Sequence, residues 1–317
     1  MRVLLTGGTG YLGRAIATAL ARGGHDTIVF ARSATRAVRD GLPARAIDGD
    51  VRDAAALHRA ASRCDAICHS AALVSVWRAR REEFEAVNVG GLQNALAAAA
   101  AHGIRRFVYT SSFLARPPSD SRQPLRGNDY QRTKVAAERV AEAAVERGVP
   151  IVRLYPGVVY GPGPATEGNL VGRFIADHLR RRLPGVVGAD RLWSFAYVDD
   201  VARAHVMAIE RGMPGAAYEV GGENAPQIRL FEMVRQRTGR PLPRRIPVSL
   251  ALVLGGLEEL RAAVTGATPL ITRGTVDVLR HDWALDSSHA IRDLDYRVTP
   301  LETGLIATID SAMALVR

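Results

Sequence analysis

The first thirteen residues restrict this chain more than any other stretch. A short apolar run, Val3-Leu4-Leu5-Thr6, leads into Gly7-Gly8-Thr9-Gly10-Tyr11-Leu12-Gly13, and a helical pattern continues to residue 22. Glycines at 7, 10 and 13 serve one geometry. A turn this tight needs residues without Cβ, and the main chain has to approach an anion closely. The helix that follows offers free N–H groups and partial positive charge to that anion. Strand before and helix after distinguish a pyrophosphate-binding turn from an ordinary tight turn. Gly7, Gly10, Tyr11, Leu12 and Gly13 are therefore the first candidate cofactor-binding residues.

The alternation continues. Short apolar runs at 27–30, 66–69, 106–110 and 151–154 are separated by helical patterns, among them 84–101 and 130–147. Strands alternating with helices require crossover connections, hence a parallel sheet covered on both faces. This predicts an α/β, doubly wound (Rossmann) fold that binds ligands at the carboxyl ends of its strands. After residue 155 the pattern loosens, with proline and glycine clustered over 156–164. A strand at 194–198 and a helix at 201–211 are expected to rejoin the sheet. Helices at 228–238 and 249–264 suggest a smaller, mostly helical lobe. The expected division is a dinucleotide-binding domain over 1–155, rejoined by about 194–220. The substrate lobe, 156–193 and 221–317, is interleaved with it.

Composition narrows the function classes. The chain carries a formal charge of +10, but its arginines are scattered, with no basic run interleaved with aromatics, so nucleic acid is not an expected partner. The most apolar stretch, 248–257, is shorter than the roughly 20 residues a bilayer span needs. Met1 is followed at once by a strand, so no targeting segment is expected and a cytoplasmic location is. Cys64 and Cys68 have no second pair to complete a metal site and read as reduced packing residues. No metal is expected.

Of 42 basic residues, 41 are arginine; the one lysine is Lys134. Lysine is a compact charge whose pKa moves readily, whereas arginine is a wide, permanent fork. Lys134 lies four residues after Tyr130 on a predicted helix, so the two share a face. A tyrosine is a sluggish acid–base near pH 7, and a neighbouring ammonium is expected to lower its pKa. The pair suits proton delivery to a carbonyl oxygen as hydride reaches its carbon. The strand at 107–112 ends in Ser111 and Ser112, whose hydroxyls can polarise that carbonyl. Asn88, mid-helix, is expected to hold a water or backbone group that relays protons to Lys134. The second strand runs into Ala31-Arg32 with no acid at its end. Arginine there is expected to meet a ribose 2′-phosphate, which predicts NADP(H). Asp50, after a third strand, is expected to accept a hydrogen bond from adenine.

Together these residues resemble the extended short-chain dehydrogenase/reductase family. The likeness covers almost the whole chain: the 6–13 turn, Gly49-Asp50, His69-Ser70-Ala71-Ala72, the 88–94 stretch, Tyr109-Thr110-Ser111-Ser112, the Tyr130/Lys134 pair, the 155–162 stretch and Tyr197-Val198-Asp199-Asp200. Within that family it is most similar to the dihydroflavonol-reductase and 3β-hydroxysteroid-dehydrogenase wing, including hopanoid-associated reductases. The resemblance implies a Ser–Tyr–Lys triad with Ser112, or alternatively Ser111, and an asparagine role for Asn88. It implies that Pro156 and Val159 border the nicotinamide, that Arg32 serves as in NADP-using members, and that the protein is a homodimer. Val51, directly after Gly49-Asp50, and Ala71, inside the 69–72 stretch, join the expected cofactor-binding residues. Two departures stand out. Only 18 residues run from Ser112 to Tyr130, a clipped loop over 117–124 that suggests an open substrate mouth. And Trp193-Ser194 stand where sugar-nucleotide members carry an Arg-Asp pair.

Three readings follow. The first is a reductase or dehydrogenase for a hydrophobic ketone, aldehyde or secondary alcohol, supported by Arg32 and Trp193. The second is a nucleotide-sugar epimerase or dehydratase that retains NAD. The third is a non-catalytic NADP-binding protein, which the intact Tyr130/Lys134 pair argues against.

Overall fold

Alternating apolar strands and amphipathic helices wind the first half into an open, twisted sheet. The computed structural model describes residues 1–75, 77–122 and 127–316. In chain order the elements begin β1 (Arg2–Thr6), α1 (Tyr11–Arg22), β2 (Asp26–Ala31), α2 (Ala34–Arg39), β3 (Arg45–Asp48), α3 (Ala54–Ala61) and β4 (Ala66–His69). Next come α4 (Glu82–Glu85), which passes through a π-helical turn (Ala86–Gly90) into α5 (Gly91–Ala101), then β5 (Arg106–Thr110), α6 (Asp129–Glu146) and β6 (Ile151–Pro156). Then follow β7 (Val158–Tyr160), α7 (Leu170–Leu179), β8 (Leu192–Tyr197), α8 (Val198–Arg211), β9 (Ala217–Val220) and β10 (Glu223–Pro226). The chain closes with α9 (Ile228–Thr238), α10 (Val248–Thr265), α11 (Arg273–Leu279), α12 (Ser288–Leu294) and α13 (Leu301–Val316).

The main sheet has seven strands in the order β3-β2-β1-β4-β5-β6-β9, and its pairings are parallel. The chain reverses direction of winding between β1 and β4, and a cleft forms at such a switch point. One face packs α1 and α8 over Val3, Leu5, Val29 and Val108; the other packs α3, α5 and α6 over Leu4, Ile67, Phe107 and Ile151.

The segment expected to rejoin this sheet at 194–198 does so only in part. β8 pairs with β7 and β10 in a separate three-stranded sheet. The return is made by α8, packed on α1, and by β9 beside β6. An apolar strand flanked by helices has no local signal for which sheet it joins. The small sheet forms a third core with α7, α9 and α13 around Trp193, Phe195, Phe231 and Leu305.

Candidate active site

The carboxyl ends of β1, β2, β4, β5 and β6 open on one cleft of about 1600 Å³. A single small-ligand pocket occupies roughly 300–1,000 Å³, so the cleft has room for a dinucleotide and a second molecule. At its floor lies the glycine turn. Gly7 has φ +73°, and a Cβ there would stand 2.6 Å from the Ala71 Cα. A Cβ on Gly13 would overlap the Gly7 carbonyl oxygen, so α1 sits directly on the turn because residue 13 has none. No side chain caps α1 at Gly10, which leaves its first-turn N–H groups for an anion. This cradle fits the pyrophosphate of a nicotinamide dinucleotide.

Gly7, Gly10, Tyr11, Leu12, Gly13, Arg32, Asp50, Val51, Ala71, Ser112, Tyr130, Lys134, Pro156 and Val159 all line that cleft. Arg32 is exposed just past β2, with Ser33 beside it on the same wall. Asp50 is already clamped: Arg52 donates to its two carboxylate oxygens at 3.0 and 2.6 Å. That guanidinium, with a smaller effect from Arg32, holds the Asp50 carboxyl below its ordinary value.

Lys134 is 3 % exposed. Its Nζ donates to the Thr110 carbonyl at 2.9 Å and lies 6.0 Å from the centre of the Tyr130 ring. Burial pulls its pKa down to about 8, opposed by the negative charge of Glu138 one turn on. Tyr130 departs from expectation. Burial pushes its phenol up to about 12, with a Ser112 hydrogen bond pulling the other way. Desolvation of the phenolate dominates, and the ammonium, engaged with Thr110, does not overcome it. In the protein alone Tyr130 is thus a firmly protonated phenol.

The two serines separate cleanly. Ser111 donates to Glu138 Oε2 at 2.5 Å, where Glu138 also takes the Tyr155 hydroxyl at 2.5 Å and Arg153 at 3.0 Å. Ser112 accepts the Leu114 N–H at 3.2 Å and keeps its own proton to donate. Asn88 holds a backbone group. Its Oδ1 accepts from the Leu73 N–H at 2.7 Å and its Nδ2 donates to Thr133 Oγ1 at 2.9 Å. It is not among the residues that line the cleft. It ties the 71–73 segment to α6 one residue from Lys134. The π-helical turn that aims it is invisible to a 3.6-residue pattern.

The far end of the cleft is apolar. Trp193 stacks on Phe174 with ring centres 6.3 Å apart, and Phe113 meets Trp283 edge-on at 5.2 Å. All four line the cleft with Leu170 and Val186. The clipped loop is strapped down as far as it is described: Ser119 donates to the Asp282 carbonyl at 2.8 Å and Asp120 pairs with His281 at 2.9 Å. Its remainder, Gln123 and Pro124, lies outside the described residues. Sequence reasoning missed Glu138, Ser33, Arg52, Phe113, Phe174 and Trp283. Ser33, Arg52, Phe113 and Glu138 each lie within four residues of a residue already singled out, whereas Phe174 and Trp283 reach the site through contacts distant in the chain.

Residues 3–221 match the NAD dependent epimerase/dehydratase family. The chain is 32% identical over 310 residues to sterol demethylase protein B of Methylococcus capsulatus, covering 93% of each. It is 30% identical over 309 residues to a putative dihydroflavonol 4-reductase of a Synechocystis strain, covering 92% of this chain and 88% of that one. The crystal structure of gox2253 superposes with a TM-score of 0.83 at 27% identity, over 99% of this chain and 98% of that one. With its glycine cradle, its Tyr130/Lys134 pair and this likeness along nearly its full length, the chain belongs to the NAD dependent epimerase/dehydratase family, an enzyme of the extended short-chain dehydrogenase/reductases.

Proposed function

We propose that this enzyme moves a hydride between NADP(H) and the carbonyl of a hydrophobic ketone or aldehyde, or the matching secondary alcohol, of polyketide, steroid, terpenoid or flavonoid type. The observation that carries this reading is the wall of Phe113, Phe174, Trp193 and Trp283 beside Ser112 and Tyr130. An apolar substrate gains by covering the half-buried Phe113 and Phe174, which Trp193 and Trp283 back from the core, whereas a sugar diphosphate would find an indole at the position of its expected arginine. Names such as dihydroflavonol 4-reductase among the relatives are consistent with this.

The bound dinucleotide supplies the hydride. The chain's own residues do the rest. The α1 amides and the glycine turn hold the pyrophosphate, and Arg32 holds the 2′-phosphate. Pro156 and Val159 border the nicotinamide. Ser112 donates to the carbonyl oxygen, and Tyr130 passes its proton to that oxygen as the hydride arrives. Lys134 offsets the charge left on the phenol and takes part in holding the ribose. In the oxidative direction the same proton returns to Tyr130. Catalysis by a homodimer in the cytoplasm is part of the same reading.

A panel of ketones and aldehydes with NADPH and NADH tests it. Turnover of apolar ketones with NADPH preferred is the expected result, and Tyr130→Phe should lower kcat about 10²–10⁴-fold. Absence of turnover across the panel, or tightly retained NAD with stabilisation by a UDP- or dTDP-sugar, would overturn it.

A further inference from the structure

α10 presents its apolar residues to the outside. Its buried positions are the small residues Ala251, Gly255 and Ala262. A Cβ on Gly255 would stand 2.9 Å from the Arg273 nitrogen, so small residues are what seat the helix against the start of α11. Val248 and Leu252 pack inward, but most of its large residues face away: Leu250 is 50% exposed, Val253 62%, Leu257 59%, Leu260 64% and Val264 80%. Leu270, just past the helix, is 84% exposed. The spacing 250, 253, 254, 257, 260 and 264 traces one helical face. Contiguous exposed apolar surface of this kind marks an interaction site. The two acids on the helix are already paired, Glu258 with Arg261 at 2.7 Å and Glu259 with Arg273 at 2.8 Å.

The foot of the helix is basic. Val186 bridges Arg245, and its N–H donates to the Arg244 carbonyl at 2.8 Å, which sets residues 181–186 beside 244–246. Arg245 pairs with Asp190. Arg181, Arg182 and Arg244 are exposed and have no acidic partner in the ion pairs of the described residues. The chain as a whole carries +10. This face runs to the rim of the cleft, where Leu254 and Leu270 join Ala251 and Ile271 in lining it.

We propose that α10 and its arginine foot dock on an anionic lipid surface, with the leucine face in the acyl boundary and the arginines on the headgroups. An apolar substrate then enters the cleft past Leu254 and Leu270 without crossing water. No helix among the described residues is long and apolar enough to cross a membrane, so α10 lies in the interface plane. In a two-fold contact of this face with itself, Glu258 and Glu259 are already paired and leave the arginines without a carboxylate, whereas lipid phosphates match Arg181, Arg182 and Arg244. The docking stands on this surface alone; the delivery of substrate rests on the reductase reading.

Vesicle flotation of the full chain tests the docking and reads no turnover, so it fails or holds independently of that reading. The protein should float with phosphatidylcholine vesicles containing phosphatidylglycerol and be released by high salt. The double variant Leu257→Ser, Leu260→Ser should reduce the bound fraction about tenfold or more, and Arg244→Ala about fivefold. None of these residues lines the cleft, so stabilisation by NADPH should be unchanged and certifies the fold. Failure to float, or equal flotation on purely neutral vesicles, overturns the proposal. So does a wild-type dimer that the leucine variant dissociates while neither form binds vesicles.

Discussion

A buried ammonium is costly, and Lys134 carries that cost where it is useful. Its pKa falls from an ordinary 10.5 to about 8, a penalty on the charged form of about 3 kcal/mol. Because the folded value is the lower one, the unfolded chain binds more protons between about pH 8 and 10.5, and stability rises with pH across that window. Lys134→Met should therefore abolish turnover yet raise stability by about 1–2 kcal/mol at pH 7, the remainder being lost with the donor to Thr110. Denaturant titrations from pH 7 to 10.5 check this; an unchanged slope against pH would reject the buried-charge account. Tyr130, at about 12, stays protonated throughout, so the alkaline fall of the reductive rate should begin near pH 8 as Lys134 loses its proton. Glu138→Gln removes the charge that supports the ammonium, and this limb should move to lower pH in a kcat/KM profile. An unmoved limb would show that Glu138 is only a structural anchor for Ser111, Tyr155 and Arg153. The roles of Tyr130 and Lys134 were legible from four-residue spacing and from a single lysine among 42 basic residues. The direction of the tyrosine shift was not, because it depends on how much water the fold removes.

At the scale of elements, the glycine turn and α1 act as one unit. Gly13→Ala would drive a methyl into the Gly7 carbonyl, moving the helix off the turn that its amides serve. Dinucleotide affinity should weaken by about tenfold or more, measured by titration calorimetry; an unaltered affinity would mean that the turn does not bind the pyrophosphate. Strand, turn and helix were readable here because all their determinants lie within a dozen residues. The helix read as continuous over 84–101 instead contains a π-helical turn at Ala86–Gly90. One extra residue in a turn leaves the apolar pattern nearly intact, yet it rotates Asn88 toward Leu73 and Thr133. β8 likewise has an unremarkable strand pattern, and its membership of the small sheet follows from partners about 30 residues away in β10.

For the whole molecule, a ligand that fills the cleft bridges both lobes and should stabilise them together. A hundredfold excess of NADPH over its Kd adds about 2.7 kcal/mol, seen as a rise in Tm of several degrees by differential scanning fluorimetry. Arg32→Ala should reduce the NADPH shift to that of NADH and leave the NADH shift unchanged. Equal losses with both cofactors would remove Arg32 from the 2′-phosphate.

What the order of residues alone made certain was local: the alternation that builds a parallel sheet, the glycine turn and the Tyr130/Lys134 pair. These depend on backbone geometry over a few residues, where side chains at fixed spacing must share a face or leave room for an anion. Folding settled the rest through contacts that join distant positions: Lys134 on the Thr110 carbonyl, Glu138 gathering Ser111 and Arg153, Trp193 against Phe174, and the outward leucines of α10. Burial and partner choice arise there, because desolvation is a property of everything packed around a group and no stretch of chain carries that information within itself.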